Sequence, residues 1–160
     1  MKITKKIINV LTSLIIVVGG TFLGLYLFGI IPYVVLSASM EPTIETGSLC
    51  FINKHVDYNN IKEKDIIAFK LNDGTQVTHR VHKVKKEGLI TKGDNNKKAD
   101  KNIITSKSFI GKNIFWIPKL GYIVMVFQTT SGKIITLTFI LLLFLSGILF
   151  GDSKKKTKEN

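Results

Sequence analysis

A serine, a histidine and two aspartates occur along this chain in an order that can carry out acyl transfer. Ser39 lies in the hydroxyl-rich segment Ser37–Thr43, His79 follows further along, and Asp94 and Asp100 come after it. Amide hydrolysis by a serine needs a nucleophile, a base within hydrogen-bonding distance and donors for the oxyanion. The chain therefore contains a candidate for each part of such a site.

The alternation of side chains along a strand distinguishes His79 from His82. In a strand over residues 75–85, His79 shares a face with Val77 and Val81, whereas His82 lies on the other, polar face. Burial on an apolar face favours the neutral imidazole, which can accept a proton. The same pattern also fits a core histidine that makes one structural hydrogen bond, and alternation alone does not distinguish the two.

The serines and aspartates each have an ordinary structural interpretation as well. Ser37 and Ser39 fit caps after a helix. Pro42 disfavours a continuing helix and leaves Ser39 in a turn or extended conformation with its hydroxyl and backbone N–H free, which also fits a nucleophile and an oxyanion donor in one residue. Asp94 belongs to a Gly-Asp-Asn-Asn turn, in which aspartate often caps backbone amides, and Asp100 stands among lysines as a solvated charge would. Spacing does not determine which aspartate orients a histidine.

Two uncharged apolar stretches flank the segment that carries these residues. Residues 7–35 exceed the roughly 20 residues that cross a bilayer, and residues 134–151 just suffice. Lysine-rich ends, residues 1–6 and 152–160, indicate that both termini are cytoplasmic. We therefore predict a multi-pass protein of the cell membrane, with residues 36–133 on the extracytoplasmic face. The first stretch is nearly twice as long as the apolar core of a signal peptide, about 7–15 residues, so a retained anchor is favoured over a removable leader.

Short apolar runs between turn residues predict a small antiparallel β domain between the two transmembrane helices. Strands are expected within residues 47–56, 65–71, 75–85, 89–91 and 109–117. The turn Asn72-Asp73-Gly74 joins the second and third of these as a hairpin. Residues 122–127 are apolar but too short to span a bilayer, and they fit either a strand or an interfacial element.

The charge and the cysteine content limit which kinds of partner and cofactor the chain is expected to bind. The net charge is +12, and lysine clusters at the two ends account for part of it. Nothing resembles a base-reading motif, so we predict no nucleic-acid partner, and a basic domain suits an anionic lipid bilayer. Cys50 is the only cysteine, which excludes an internal disulfide, and we expect it to be buried as a small apolar side chain. No cofactor loop or set of metal ligands is apparent, so neither a cofactor nor a metal is predicted.

The order of these motifs resembles that of type I signal peptidases of the serine–histidine kind, which occur in the endoplasmic reticulum, in archaea and in some Gram-positive bacteria. The resemblance rests on Ser-Ala-Ser-Met-Glu-Pro-Thr after the first apolar stretch, then His-Arg-Val, Lys-Gly-Asp-Asn-Asn and Ile-Pro-Lys-Leu-Gly-Tyr. It implies that Ser39 is the nucleophile, that His79 is the general base and that Asp100 orients the histidine. By the same resemblance, Ser37 assists the oxyanion hole and Asp94 supports the site.

This resemblance implies a membrane-bound serine endopeptidase that removes signal peptides from exported preproteins after small residues. The predicted partners are the bilayer and those signal peptides, with accessory membrane subunits left open. The alternative is a catalytically silent or dedicated membrane-anchored partner for the assembly of surface fibres or pili.

Overall fold

The computed structural model describes residues 2–151, with side chains for residues 6–146. The predicted lysine-rich tail, residues 152–160, lies outside the described residues. The chain divides into a compact unit of residues 25–125 and a second unit formed by the flanking helical segments. The elements in chain order are α1 (Lys2–Leu27), β1 (Ile30–Val34), β2 (Leu49–Asn53), β3 (Ile66–Lys70), β4 (Gln76–Lys85), β5 (Gly88–Lys92), β6 (Ile103–Ile104), β7 (Phe109–Ile117), α2 (Leu120–Gln128) and α3 (Thr130–Gly151).

One antiparallel sheet of seven strands makes up the compact unit, in the spatial order β1-β2-β7-β3-β4-β5-β6. The prediction of a mainly β, antiparallel domain is confirmed. The hairpin between β3 and β4 also forms as predicted, since Leu71 N–H donates to Thr75 O at 2.8 Å. Strand β6 was not predicted, because two residues are too few to show an alternating pattern.

The first apolar stretch contains two elements rather than one. Helix α1 ends at Leu27, and Ile30–Val34 forms edge strand β1, paired with β2. Gly29 separates them in a left-handed conformation (φ 70°), which suits the residue just after a helix. The single anchor predicted over residues 7–35 is therefore wrong at its carboxyl end, because edge strand and helix are equally apolar here. Pro32 is tolerated in β1 because the strand has a neighbour on one side only.

Residues 6–27 of α1 form a helix that is long and apolar enough to cross a membrane. Residues 122–127, for which a strand or an interfacial element was expected, instead belong to helix α2. Helices α2 and α3 meet at a sharp bend, and within the described residues they provide a second span only if this bent pair is one broken span. The described residues therefore contain one such helix, or two if the pair is counted together.

Both faces of the sheet are buried around β3. Ile66 and Ala68 pack into one apolar cluster, and Ile67 and Phe69 pack into another on the opposite face. This explains why β3 reads as a continuous apolar run without alternation. One cluster contains Met40, which follows the candidate nucleophile, and the other contains Val81, which lies two positions after the candidate base on the same face of β4.

Candidate active site

The segment around Ser39 is a short 3₁₀ turn that is fixed to the core on one side. Met40 is only 1% exposed and Ile44 is fully buried, and Ile44 N–H donates to Met40 O at 2.9 Å. Burying each of these side chains stabilises the fold by roughly 1.5–3 kcal/mol. The adjacent Ser39 is therefore held at a fixed backbone position while its side chain stays partly accessible.

His79 occupies the buried face of β4, as the alternation predicted. Its side chain and that of Val81 are buried, whereas His82 is exposed. The ring of Phe69 on neighbouring β3 packs edge-on against the imidazole, with ring centroids 6.1 Å apart. From this position His79 Nε2 lies 3.1 Å from Ser39 Oγ.

Asp100 contacts the other nitrogen of the same ring. Its Oδ2 lies 2.7 Å from His79 Nδ1. A carboxylate oxygen only accepts hydrogen bonds, so Nδ1 carries the proton and Nε2 presents its lone pair to the Ser39 hydroxyl. Ser39, His79 and Asp100 thus form one continuous chain of hydrogen bonds, in the geometry that lets a serine transfer its proton.

Asp94 lies elsewhere, against Arg80. The Arg80 guanidinium donates to both oxygens of Asp94, from Nε at 2.8 Å and from Nη2 at 2.7 Å. Hydrogen bonds from Arg80 lower the pKa of Asp94, and the same bonds raise the pKa of Arg80. Arg80 also donates to Lys64 O at 3.0 Å, so this pair ties β4 to the loop after β5 and to the segment before β3.

The loop that begins with Gly93 and Asp94 is hydrogen-bonded to the 3₁₀ turn that carries Ser39. Asn95 N–H donates to Ser39 O at 2.9 Å, and Asn95 Nδ2 donates to Ala38 O at 3.2 Å. Gly93 passes so close that an added Cβ would lie 2.6 Å from Ser39 O. Through these contacts, the Arg80–Asp94 pair fixes a loop that in turn fixes Ser39.

The remaining predicted residue, Ser37, lies beside the nucleophile. Its Oγ is 3.2 Å from Ser39 Oγ, and its side chain is exposed. Three further residues belong to this network and were not predicted as site residues. Thr91 donates to Asp100, Arg80 donates to Asp94, and Asn95 donates to Ala38 O. Turn composition predicted the bend at residues 93–96, but nothing in a single sequence indicates what a turn contacts.

An open cleft of about 630 Å³ leads to Ser39 and His79. One wall comes from the end of β1 and the residues after it, and the other comes from the β3–β4 turn and the start of β4. Because β1 and β4 are separated by three strands in the sheet, the sheet must curl to bring them together. Among the described residues no group of three His, Cys, Asp or Glu side chains is arranged to hold a metal ion.

The family model described as "Signal peptidase, peptidase S26" matches residues 5–105, more than half of the chain. This match places the protein in the class of peptidases, which are hydrolases. More narrowly, the chain belongs to the S26 family and is a type I signal peptidase by family.

Relatives from bacteria and yeasts share parts of this sequence. Signal peptidase I W of Bacillus subtilis is 43% identical over 70 residues, which cover 41% of this chain and 37% of that protein. The signal peptidase complex catalytic subunit SEC11 of Saccharomyces cerevisiae is 30% identical over 134 residues, covering 74% and 77% of the two chains. The same subunit of Ogataea parapolymorpha is 28% identical over 140 residues, covering 69% and 78%. The match thus spans little more than a third of the Bacillus protein but over three quarters of each yeast protein.

Proposed function

We propose that this protein is a membrane-bound serine endopeptidase that cleaves signal peptides from exported preproteins. The observation that carries the proposal is the hydrogen-bonded chain from Ser39 through His79 to Asp100 at the end of an open cleft. Family membership supplies the reaction class, and the relatives named signal peptidase supply the substrate class.

In the proposed reaction, Ser39 Oγ attacks the carbonyl carbon of the scissile peptide bond. His79 Nε2, 3.1 Å away, takes the hydroxyl proton as the bond forms. The ring then carries a positive charge, which Asp100 stabilises from 2.7 Å on the opposite nitrogen. The negative charge on the former carbonyl oxygen is stabilised by the backbone N–H of Ser39 and by the Ser37 hydroxyl.

His79 next returns the proton to the departing amine, which becomes the N-terminus of the mature protein. This step leaves the signal peptide joined to Ser39 as an ester. Water then attacks the ester carbonyl while His79 accepts a proton from that water. The bond between the carbonyl carbon and Ser39 Oγ breaks, His79 returns the proton to Ser39 Oγ, and the signal peptide leaves with a new carboxylate. Each step uses the same three side chains, because His79 alternates between base and acid.

The membrane brings enzyme and substrate together in this proposal. Ser39 follows the end of α1 at Leu27 by 12 positions in the sequence (39 − 27). A preprotein held in the bilayer by its own apolar segment is confined to the same surface, which raises its effective concentration near the cleft. With α1 and the bent α2–α3 pair as two spans and lysines at the cytoplasmic side, the β unit faces the extracytoplasmic side. A preference for small residues before the cleaved bond follows from the family resemblance.

The partners proposed for this chain are the bilayer, preproteins and accessory membrane subunits. SEC11 of yeast is named as the catalytic subunit of a signal peptidase complex, which supports the proposal of accessory subunits for this chain. The alternative is a silent assembly partner for surface fibres or pili. Such a protein needs neither a nucleophile nor a base, so the intact set of three aligned side chains favours the enzyme.

The test is processing of an exported preprotein in liposomes that contain the purified full chain. Wild type and Ser106→Ala, an exposed serine outside the site, should release mature protein with the cut after a small residue, as located by mass spectrometry. Ser39→Ala and His79→Ala should release none. Undiminished processing by Ser39→Ala would contradict the mechanism, and no processing of several preproteins by wild type would favour the silent partner.

A further inference from the structure

Thr91 is a buried hydroxyl residue that the mechanism above does not use. It lies on β5 next to β4, and its side chain is fully buried. It does not line the cleft beside Ser39. Any effect of Thr91 on the reaction must therefore pass through a neighbour rather than through contact with the substrate.

That neighbour is Asp100, which Thr91 contacts at two points. The Thr91 hydroxyl donates to Asp100 Oδ2 at 2.6 Å, and Thr91 O accepts a hydrogen bond from Asp100 N–H at 2.8 Å. Asp100 itself lies in a segment with no regular secondary structure, between β5 and β6. A carboxylate in such a segment has no strand ladder to fix it, so these two bonds supply its anchorage to the sheet.

The oxygen that Thr91 contacts is also the oxygen that faces the histidine. Asp100 Oδ2 accepts from Thr91 Oγ1 at 2.6 Å and from His79 Nδ1 at 2.7 Å. Two donors on one oxygen fix the rotation of the carboxylate about the Cβ–Cγ bond of Asp100, which keeps Oδ2 in line with the imidazole ring. Without the hydroxyl, the backbone bond still holds the main chain of Asp100, but the carboxylate is held only by the His79 ring that it has to orient.

We infer that Thr91 is a positioning residue, which holds the Asp100 carboxylate in the orientation that aligns His79 with Ser39. The inference rests on the proposed function, since the reaction it supports is the one proposed above. Thr91→Val keeps the shape of the side chain and the β-branching that suits a strand, but it removes the hydroxyl. Thr91→Ser keeps the hydroxyl and removes only a methyl group.

The expected kinetic effect lies in kcat. Losing one hydrogen bond to a charged group should lower the kcat of Thr91→Val by roughly 10- to 100-fold. KM should stay within about twofold because Thr91 is outside the cleft. Thr91→Ser should restore most of the activity. Thr46→Val is the matched control, because Thr46 also donates a hydroxyl bond to a carboxylate, Glu41 Oε1 at 2.9 Å, outside the hydrogen-bonded chain from Ser39 to Asp100. Its kcat should be close to that of wild type.

A double-mutant comparison separates positioning from a general structural effect. If Thr91 acts through Asp100, Thr91→Val should cause no further loss of kcat in the Asp100→Ala protein. Equal losses in both backgrounds, or wild-type kcat in Thr91→Val, would overturn the inference. Circular dichroism of each variant establishes that the fold is retained.

Nitrogen NMR of the histidine rings gives a readout that does not depend on activity. The full chain labelled with ¹⁵N-histidine in detergent contains three imidazoles, and a His79→Gln variant identifies the signals of His79. The protonated Nδ1 signal of His79 should shift or broaden in Thr91→Val and be retained in Thr91→Ser. Unchanged His79 signals in Thr91→Val would refute positioning even if wild type cleaves preproteins. Wild type that cleaves nothing would instead refute the proposed function, and the NMR comparison would still decide the role of Thr91.

Discussion

Replacing Asp100 by asparagine tests the assignment of the two aspartates. In the structure, Asp100 Oδ2 accepts from His79 Nδ1 at 2.7 Å, with side chains that are 23% and 10% exposed. An asparagine in the same place has no charge, and when its amide nitrogen faces the ring it favours the tautomer with the proton on Nε2. That tautomer cannot accept the proton of Ser39.

The size of the effect follows from the charge that develops on His79. Unit charges with centres about 4 Å apart, at an effective dielectric constant of about 20, attract each other by roughly 4 kcal/mol. Losing that attraction in the transition state lowers the rate by about 10³-fold, and the wrong tautomer brings the loss toward the roughly 10⁴-fold seen when such a triad loses its carboxylate. The loss should appear in kcat, because Asp100 does not line the cleft.

The assay is cleavage of a preprotein by the full chain in liposomes, with kcat and KM measured for wild type, Asp100→Asn and Asp94→Asn. We expect Asp94→Asn to retain far more of kcat per folded molecule than Asp100→Asn does. An Asp100→Asn protein within tenfold of wild type, beside a folded Asp94→Asn protein without activity, would refute the assignment and give Asp94 the orienting role.

Three further predictions concern stability, loop geometry and thiol reactivity. Asp94→Asn should lower the free energy of unfolding by roughly 2 kcal/mol, since it leaves a part-buried Arg80 without its charged partner. The pKa of Asp94 in the folded protein is lowered, so its ionised carboxylate stabilises the fold above the ordinary pKa of 3.8, and this stabilisation is lost as the pH falls below that value. In denaturation measured from pH 7 to pH 2, the unfolding free energies of wild type and Asp94→Asn should converge only at the acid end. A constant difference between them would contradict this. Gly93→Ala should reduce kcat, because the new methyl group would displace the loop from Ser39 O, while circular dichroism should show that the fold is intact. An unchanged kcat would contradict the close approach of Gly93 to Ser39 O. Burial raises the pKa of the Cys50 thiol to about 11, so iodoacetamide at pH 8 should label it only after denaturation, and rapid labelling of the folded protein would show that the strand is not buried.

The β strands were predictable because alternation and turn residues are local properties of the sequence. The face of β4 that carries His79 follows from the two-residue period alone, and the structure agrees with it. Helix α1 and strand β1 were not separable, because both are apolar and only Gly29 marks the boundary. Residues 122–127 are helical in the structure, whereas a six-residue apolar run carries no clear period.

The arrangement of the site was less predictable, because it depends on contacts between residues that are far apart in the sequence. Which aspartate contacts His79 depends on the path of the chain after β5, where the backbone bond from Asp100 to Thr91 returns the loop to the sheet. The order of the motifs predicted the family, and resemblance to that family assigned Asp100 as the partner of His79. The distance from Asp100 Oδ2 to His79 Nδ1 is consistent with that assignment. Arg80 and Asn95 belong to quoted motifs, but no role was predicted for them because their partners, Asp94 and Ser39, are distant in the sequence.

Covalent trapping measures whether His79 activates Ser39 as a nucleophile. A peptide diphenyl phosphonate that ends in a small residue reacts with an activated serine: the serine oxygen bonds to phosphorus and one phenoxy group leaves with the serine proton as phenol. Peptide mapping by mass spectrometry locates the adduct. Ser39 should be modified in the wild-type protein, and that modification should be lost in His79→Ala. Modification of a different residue, or equal modification of Ser39 with and without the His79 imidazole, would contradict it.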